Sequence, residues 1–203
     1  MTVEDKSPKG SIDTRCLPLM DLLNAKGSGY ETTSSCSGRI SIFAKNSGWI
    51  FVSHEPVSTA TSLLDTLFPG YTVESGSDQP SSLESNDSNL VYFKFEPFIL
   101  HVKAESIFPL GYEIFSLAYN LGFRNSGLTI SKKNPNACTV AIRSTLKLDA
   151  PIGILDQQSK TIRLIVSCQY LGLLCQIANE KFAANFAKMD QLLSAAEKAM
   201  SNR

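Results

Sequence analysis

The chain has 203 residues, 43% of them hydrophobic and 19% charged, a balance that permits one substantial core and excludes a disordered chain. Lys plus Arg equals Asp plus Glu, so net charge makes no case for a nucleic-acid partner. The five cysteines form no Cys-x-x-Cys pair, which argues against a disulfide framework and a zinc knuckle and favours a reducing compartment.

Residues 1–11 read as a polar arm with Pro8 and Gly10, lacking the apolar core of a signal peptide. No run approaches about twenty apolar residues, so no membrane span is expected and the cytoplasm is the simplest location. A helix is expected next, capped by Asp13, with Cys16, Leu19, Met20 and Leu23 on one face and Pro18 kinking or re-starting it. Arg39 to Lys45 alternates around Ile40 and Ile42, and Asn46-Ser47-Gly48 turns it into Trp49 to Ser53, a β-hairpin. Pro56 is placed to open a short helix carrying Leu63, Leu64 and Leu67, closed by Pro69-Gly70.

Glu74 to Asn89 is almost wholly Ser, Asp, Glu, Asn, Gly and Pro and reads as a mobile surface loop. Leu90 to Ala104 is aromatic and β-branched, and Pro97, which cannot donate to a ladder, suggests two strands rather than one. Ser106 to Leu121 reads as a helix ending at Gly122, its regular part confined to the later turns by Pro109 and Gly111. Leu128 to Lys132 and Thr139 to Leu146 form a second hairpin around Asn134-Pro135-Asn136, and Thr161 to Ser167 a last strand. From Leu171 through Leu174, Ala178, Phe182, Phe186, Met189, Leu193 and Ala196 to Met200, apolar residues recur every three or four positions. They define an amphipathic C-terminal helix of roughly thirty residues, whose far end is a candidate to pack on a partner chain.

Hairpins mix with helices without βαβ regularity, so the expected class is α+β, a mixed or antiparallel sheet packed with helices in a single domain spanning 1–203. Ser37-Gly38-Arg39-Ile40 and Ser126-Gly127-Leu128-Thr129 each place Ser-Gly before a strand, which raises an internal duplication. Charge is also segregated. From Glu55 to Glu113 there are nine acidic residues against two basic ones, whereas Ile114 to Leu148 has no acid but holds Arg124, Lys132, Lys133, Arg143 and Lys147. That stretch can offer phosphate a local basic face, or be only a solvated surface.

Four stretches can carry chemistry. Thr32 to Arg39, with Ser35, Cys36, Ser37 and Gly38, is small and polar: backbone N–H groups can form an anion nest and Arg39 supplies a fork for carboxylate or phosphate, against the alternative of a Ser-rich turn. Nothing nearby marks Cys36 as an activated nucleophile. The chain's two histidines, His54 and His101, each lie near a glutamate, Glu55 and Glu96, a pairing that can hold a proton acceptor near neutral pH or merely make structural hydrogen bonds. Finally, Gly122 to Gly127, with Arg124 and Ser126, and the following Arg143-Ser144 would form one recognition surface if they adjoin. No metal site is expected, since one needs three or four converging ligands and the chain offers weak material for it. Neither Gly-x-Gly-x-x-Gly nor a P-loop nor Gly-x-Ser-x-Gly occurs.

Read together, Asp5-Lys6-Ser7-Pro8-Lys9-Gly10-Ser11-Ile12-Asp13, Thr33-Ser34-Ser35-Cys36-Ser37-Gly38-Arg39-Ile40, Trp49-Ile50-Phe51-Val52-Ser53-His54-Glu55-Pro56, Phe95-Glu96-Pro97-Phe98-Ile99-Leu100-His101-Val102, Gly122-Phe123-Arg124-Asn125-Ser126-Gly127 and Val140-Ala141-Ile142-Arg143-Ser144-Thr145 resemble, in order and over nearly the whole chain, the tRNA wybutosine-synthesizing protein 3 family. The resemblance implies a methyltransferase outside the standard Rossmann class, moving a methyl group from S-adenosyl-L-methionine to N4 of a tricyclic guanosine derivative beside the anticodon of tRNA-Phe. On that reading Ser35 to Arg39 hold the donor, and His54 with Glu55, then His101, accept or orient the proton. Glu96, Arg124, Ser126, Arg143, Ser144, Lys132 and Lys133 face the RNA substrate. Family members often carry a further basic stretch before Ser-Pro-Lys-Gly; here four residues precede Asp5, so an RNA-contacting arm that is shorter or lost is expected. The competing class is a non-catalytic RNA- or nucleotide-binding protein on the same scaffold. The oligomeric state is not read from the sequence.

Overall fold

The computed structural model describes residues 12–58, 63–75 and 89–202, so the N-terminal arm and residues 76–88 of the expected loop lie outside the described residues. The chain divides into two compact units: Met1–Gly38, Pro97–Thr145 and Ala184–Arg203 form the first, and Arg39–Glu96 with Leu146–Ala183 the second. Strands β1 (Tyr30–Ala44) and β4 (Leu90–Ala104) and helix α4 (Cys168–Ser201) contribute residues to both.

In the first unit a 3-10 turn at Thr14–Cys16 leads into α1 (Leu17–Leu23), where Pro18 sits in the first turn and costs no helical hydrogen bond. Asp13 does not cap this helix through its side chain. Its carboxylate instead accepts from both the N–H and the hydroxyl of Ser37, at 2.8 and 3.1 Å. A π-helical segment at Ile107–Gly111 precedes α3 (Tyr112–Asn120), so regular helix begins only after Pro109 and Gly111, as expected. Strands β5 (Gly127–Ile130) and β6 (Cys138–Arg143) pair antiparallel as the expected hairpin, and β6 pairs antiparallel with the second half of β4. Leu19, Met20, Leu23, Leu100, Val102, Ile114, Val140, Ile142, Met189, Leu192 and Ala196 fill this unit's core. The buried face of the far end of α4 thus packs on its own chain's core.

The second unit carries the strand order β2-β1-β4-β7-β8-β3, with β2 (Gly48–Ser53), β3 (Thr72–Ser75), β7 (Leu148–Asp156) and β8 (Thr161–Leu164). Its β1–β2, β4–β7 and β7–β8 ladders are antiparallel, and β3–β8 is parallel. Phe95 meets Phe182 of α4 edge to face at 4.9 Å, among buried Ile40, Ile42, Phe93, Ile152, Ile162, Leu171 and Ala178. Fold class is thus α+β, without a Rossmann sheet.

Several boundaries depart from expectation, each for a local reason. Leu90–Ala104 is one strand of 15 residues. Its ladder with β7 ends at Phe95 and that with β6 begins at Ile99, so Pro97 falls where neither needs its missing N–H. Pro56 does not open a helix, since residues 56–58 are not helical; among the described residues α2 spans Leu63–Leu67. Just after Pro56, Asn179 of α4 accepts the N–H of Val57 at 3.0 Å and donates to its carbonyl at 2.8 Å, occupying the carbonyl that a helix opened there would use. Glu74 and Ser75 belong to β3, paired with Arg163 and Leu164, and not to a loop. Ser37-Gly38 lies inside β1, whereas Ser126 precedes β5, so the two Ser-Gly pairs are not equivalent in position.

Candidate functional site

The small polar run from Thr32 to Arg39 is strand, not loop. Extended backbone points successive N–H groups to opposite edges, so the expected anion nest does not form there. At Gly38, φ is 109°, a conformation that penalises any side chain. Beside it, Asn185 of α4, fully buried, accepts the N–H of Phe98 and donates to the carbonyl of Ser37, both at 2.8 Å. Its one carboxamide thus supplies hydrogen bonds to neighbouring strands next to Gly38 and Pro97. Ser37 is buried and tied to Asp13, and Ser35 donates towards the sulfur of Met20 at 3.3 Å. Cys36 is half-buried.

In the first unit, His101 joins three elements. Ser34 Oγ of β1 lies 2.7 Å from His101 Nδ1, and Nη2 of Arg143 on β6 lies 3.3 Å from His101 Nε2. A guanidinium only donates, so Nε2 must present its lone pair; the proton then sits on Nδ1 and is donated to Ser34. Burial, and then the Arg143 charge, hold the imidazole below its usual range. Ser126 Oγ accepts the backbone N–H of Arg143 at 3.1 Å, so the Gly122–Gly127 turn and β6 do adjoin. The result is a polar row of Ser34, His101, Arg143 and Ser126. Ser144 turns inward and is buried, and Arg124 lies exposed with its guanidinium 4.4 Å over the ring of Tyr119. Lys132 and Lys133 are exposed in the β5–β6 turn.

In the second unit, Nε of Arg39 donates to Glu96 at 2.7 Å, and its guanidinium lies 4.4 Å over Trp49. Arg39 and Glu96, expected in two separate roles, thus form one group with Trp49. Residues two apart on a strand share a face, and on the face of Arg39 the hydroxyl of Ser41 is fully buried with no partner among the described residues. His54 and Glu55 follow β2 in a bend, the first half-buried and the second exposed. The predicted donor stretch is therefore divided, with Ser35 to Gly38 in the first unit and Arg39 in the second.

Asn179, Asn185, Trp49 and Ser41 were not anticipated as site residues. Asn185 carried a signal: it sits on the apolar stripe of α4, three residues after Phe182 and four before Met189.

The Methyltransferase TYW3 family matches residues 1–198. The chain belongs to that methyltransferase family. It is 36% identical to the tRNA wybutosine-synthesizing protein 3 of Saccharomyces cerevisiae, over 99% of this chain and 77% of that one. With the Schizosaccharomyces pombe protein of the same name it shares 32% identity, over 100% and 83%. Among solved structures it resembles the PH1069 protein of Pyrococcus horikoshii, with a TM-score of 0.71 and 27% identity over 92% of this chain and 84% of that one. The TYW3 assignment accounts for an enzyme without a glycine-rich dinucleotide loop. No helix among the described residues is long and apolar enough to cross a membrane.

Proposed function

We propose that this chain transfers a methyl group from S-adenosyl-L-methionine to N4 of a tricyclic wybutosine precursor beside the anticodon of tRNA-Phe. The observation that carries the reading is the near-full-length likeness to relatives named tRNA wybutosine-synthesizing protein 3.

The residues present fit such a donor. Its amino-acid end is zwitterionic, and Arg39 beside Glu96 offers one group of each sign. The orphaned Ser41 hydroxyl on the same face is the kind of group that a bound ligand satisfies. Arg39 would hold the donor carboxylate and Glu96 the ammonium; the donor supplies an electrophilic methyl on sulfonium. Arg143, held by His101 and steadied through the Ser126 contact with its own backbone, suits an anion: RNA phosphate or a carboxylate on the precursor.

His101 serves as a positioning residue and not as the proton acceptor. Protonating it would place a second cation against Arg143 and remove the acceptor that orients the guanidinium. His54, with Glu55, is the better candidate to take the N4 proton. Alignment of nitrogen and methyl carries most of the acceleration, so a strong base is not required.

The test is calorimetry with S-adenosyl-L-methionine, then mass spectrometry of nucleosides from tRNA-Phe lacking this methyl group. Donor binding and a gain of one methyl mass are expected. Binding of tRNA without transfer would make the chain a non-catalytic RNA-binding protein and overturn the reading.

A further inference from the structure

Large aromatic side chains on a helix normally face a core, since leaving them in water forfeits roughly 1.5–3 kcal/mol each. The run leading into and along α3 departs from this. Phe108 is 70% exposed, Tyr112 54% and Tyr119 38%. Phe108 and Tyr112 lie nearly parallel, centroids 5.1 Å apart at 29°, and Phe115 and Tyr119 do the same at 5.7 Å and 28°. Arg124 closes the row over Tyr119.

The neighbouring charge is positive. The N–H of Ile107 donates to the carbonyl of Asn136 at 2.7 Å, which ties the base of Phe108 to the β5–β6 turn, and that turn carries Lys132 and Lys133, both exposed. Exposed Ile130 stands at its entrance. No acid occurs from Ile114 to Leu148. Glu113, next to Tyr112, lines a crevice with Leu23, Tyr30, Ala196 and Met200.

Flat rings beside mobile cations are what unpaired nucleotides require: base faces stack on aromatic rings while phosphates meet Lys and Arg. A protein partner would be served by the rings but would not call for the lysine pair beside them; duplex RNA would be served by the cations but cannot offer base faces. We infer that Phe108 and Tyr112 form a stacking platform for unpaired RNA bases, with Lys132 and Lys133 on the adjoining phosphates. This rests on the tRNA reading above and names the part of the tRNA engaged, a single-stranded loop.

The experiment is fluorescence anisotropy with two labelled probes, the tRNA-Phe anticodon stem–loop and a blunt RNA duplex of equal charge, over a salt series. Phe108→Ala with Tyr112→Ala should weaken the stem–loop about ten- to a hundredfold, with an unchanged salt slope and little effect on the duplex. Lys132→Ala with Lys133→Ala should instead flatten the slope on both probes, by about 1.4–1.8. Phe108→Trp with Tyr112→Trp should keep stem–loop affinity. Phe108→Glu, at a side chain 70% exposed, tests the face without removing packing and should weaken the stem–loop as well.

Wild-type affinity in the folded double-alanine and Phe108→Glu proteins would overturn the platform and leave the tRNA reading standing. So would equal losses on both probes, or wild-type self-association that the double variant abolishes, which would make this face a contact between copies. A wild-type chain that binds neither probe would sink both.

Discussion

His101 Nε2 accepts from Arg143 Nη2 at 3.3 Å, which fixes the imidazole as neutral with its proton on Nδ1. Burial, and then the Arg143 charge, depress the native pKa below the ordinary value of about 6.5. Because the unfolded chain binds this proton more readily, stability should fall as pH drops through 6.5 towards the native value, and be unaffected by this group above it. NMR titration of the ring protons reads this directly, with His54→Gln assigning the two signals. Arg143→Ala should raise the His101 midpoint; a midpoint unmoved by that change would mean that the pair does not exist in solution.

Asn185→Ala should be among the most damaging single substitutions. It leaves the Phe98 N–H and the Ser37 carbonyl without their partner inside the core, at about 1–3 kcal/mol each. Asn179→Ala frees the Val57 backbone, but Asn179 itself is half-buried, so water can take its place, and the change should cost about 1 kcal/mol. Urea denaturation of both variants checks the order, which the two asparagines would have to reverse for this account to fail.

Arg39→Ala removes the charge facing Glu96 and should weaken donor binding by about 1.5–3 kcal/mol, roughly ten- to a hundredfold, with the fold kept. Arg39→Lys should not restore it, since an ammonium cannot both fork and lie flat over Trp49. Trp49 is the sole tryptophan, so its fluorescence reports the same site. Calorimetric affinity equal to wild type in the alanine variant would remove Arg39 from the donor site.

Thiol reactivity should follow burial. Burial pushes the Cys175 thiol up to about 11 and raises that of Cys138, whereas Cys168 is exposed and Cys36 half-buried. Peptide mapping after iodoacetamide treatment of the native protein should find Cys168 alkylated first, Cys36 more slowly, and Cys16, Cys138 and Cys175 only after denaturant is added. Rapid native labelling of Cys175 would contradict its place on the buried face of α4.

Local periodicity made much of this fold readable in advance. The α4 stripe, the second hairpin and the helix after Gly111 all declare themselves through spacing within one element. Strand β7 did not, because Pro151 and Gly153 look like breakers. Pro151 is exposed on the strand, while a Cβ at Gly153 would meet the carbonyl oxygen of Arg163 at 2.8 Å, so the glycine allows β8 to approach. The Thr32 to Arg39 run looked like a turn because Ser34, Ser35, Ser37 and Gly38 favour turns over strands; neighbours distant in sequence make it a strand. The same limit applies to the site. Ser126 beside Arg143 could be anticipated because both flank one hairpin, but the pairing of Arg39 with Glu96 and of Ser34 with His101 depends on contacts across 57 and 67 residues.

The first unit draws its core from three stretches of chain, the last of them Ala184–Arg203. Met189, Leu192 and Ala196 pack against residues as early as Leu19, so this core lacks a wall until the final helix has been synthesised. Domains that fold during translation do so from their N-terminal end as units are completed. Here the earliest residues must wait for the latest. A premature stop near residue 184 would not yield a shortened enzyme: it would strip the inner face from α1 and expose an apolar surface for chaperones and proteases to recognise.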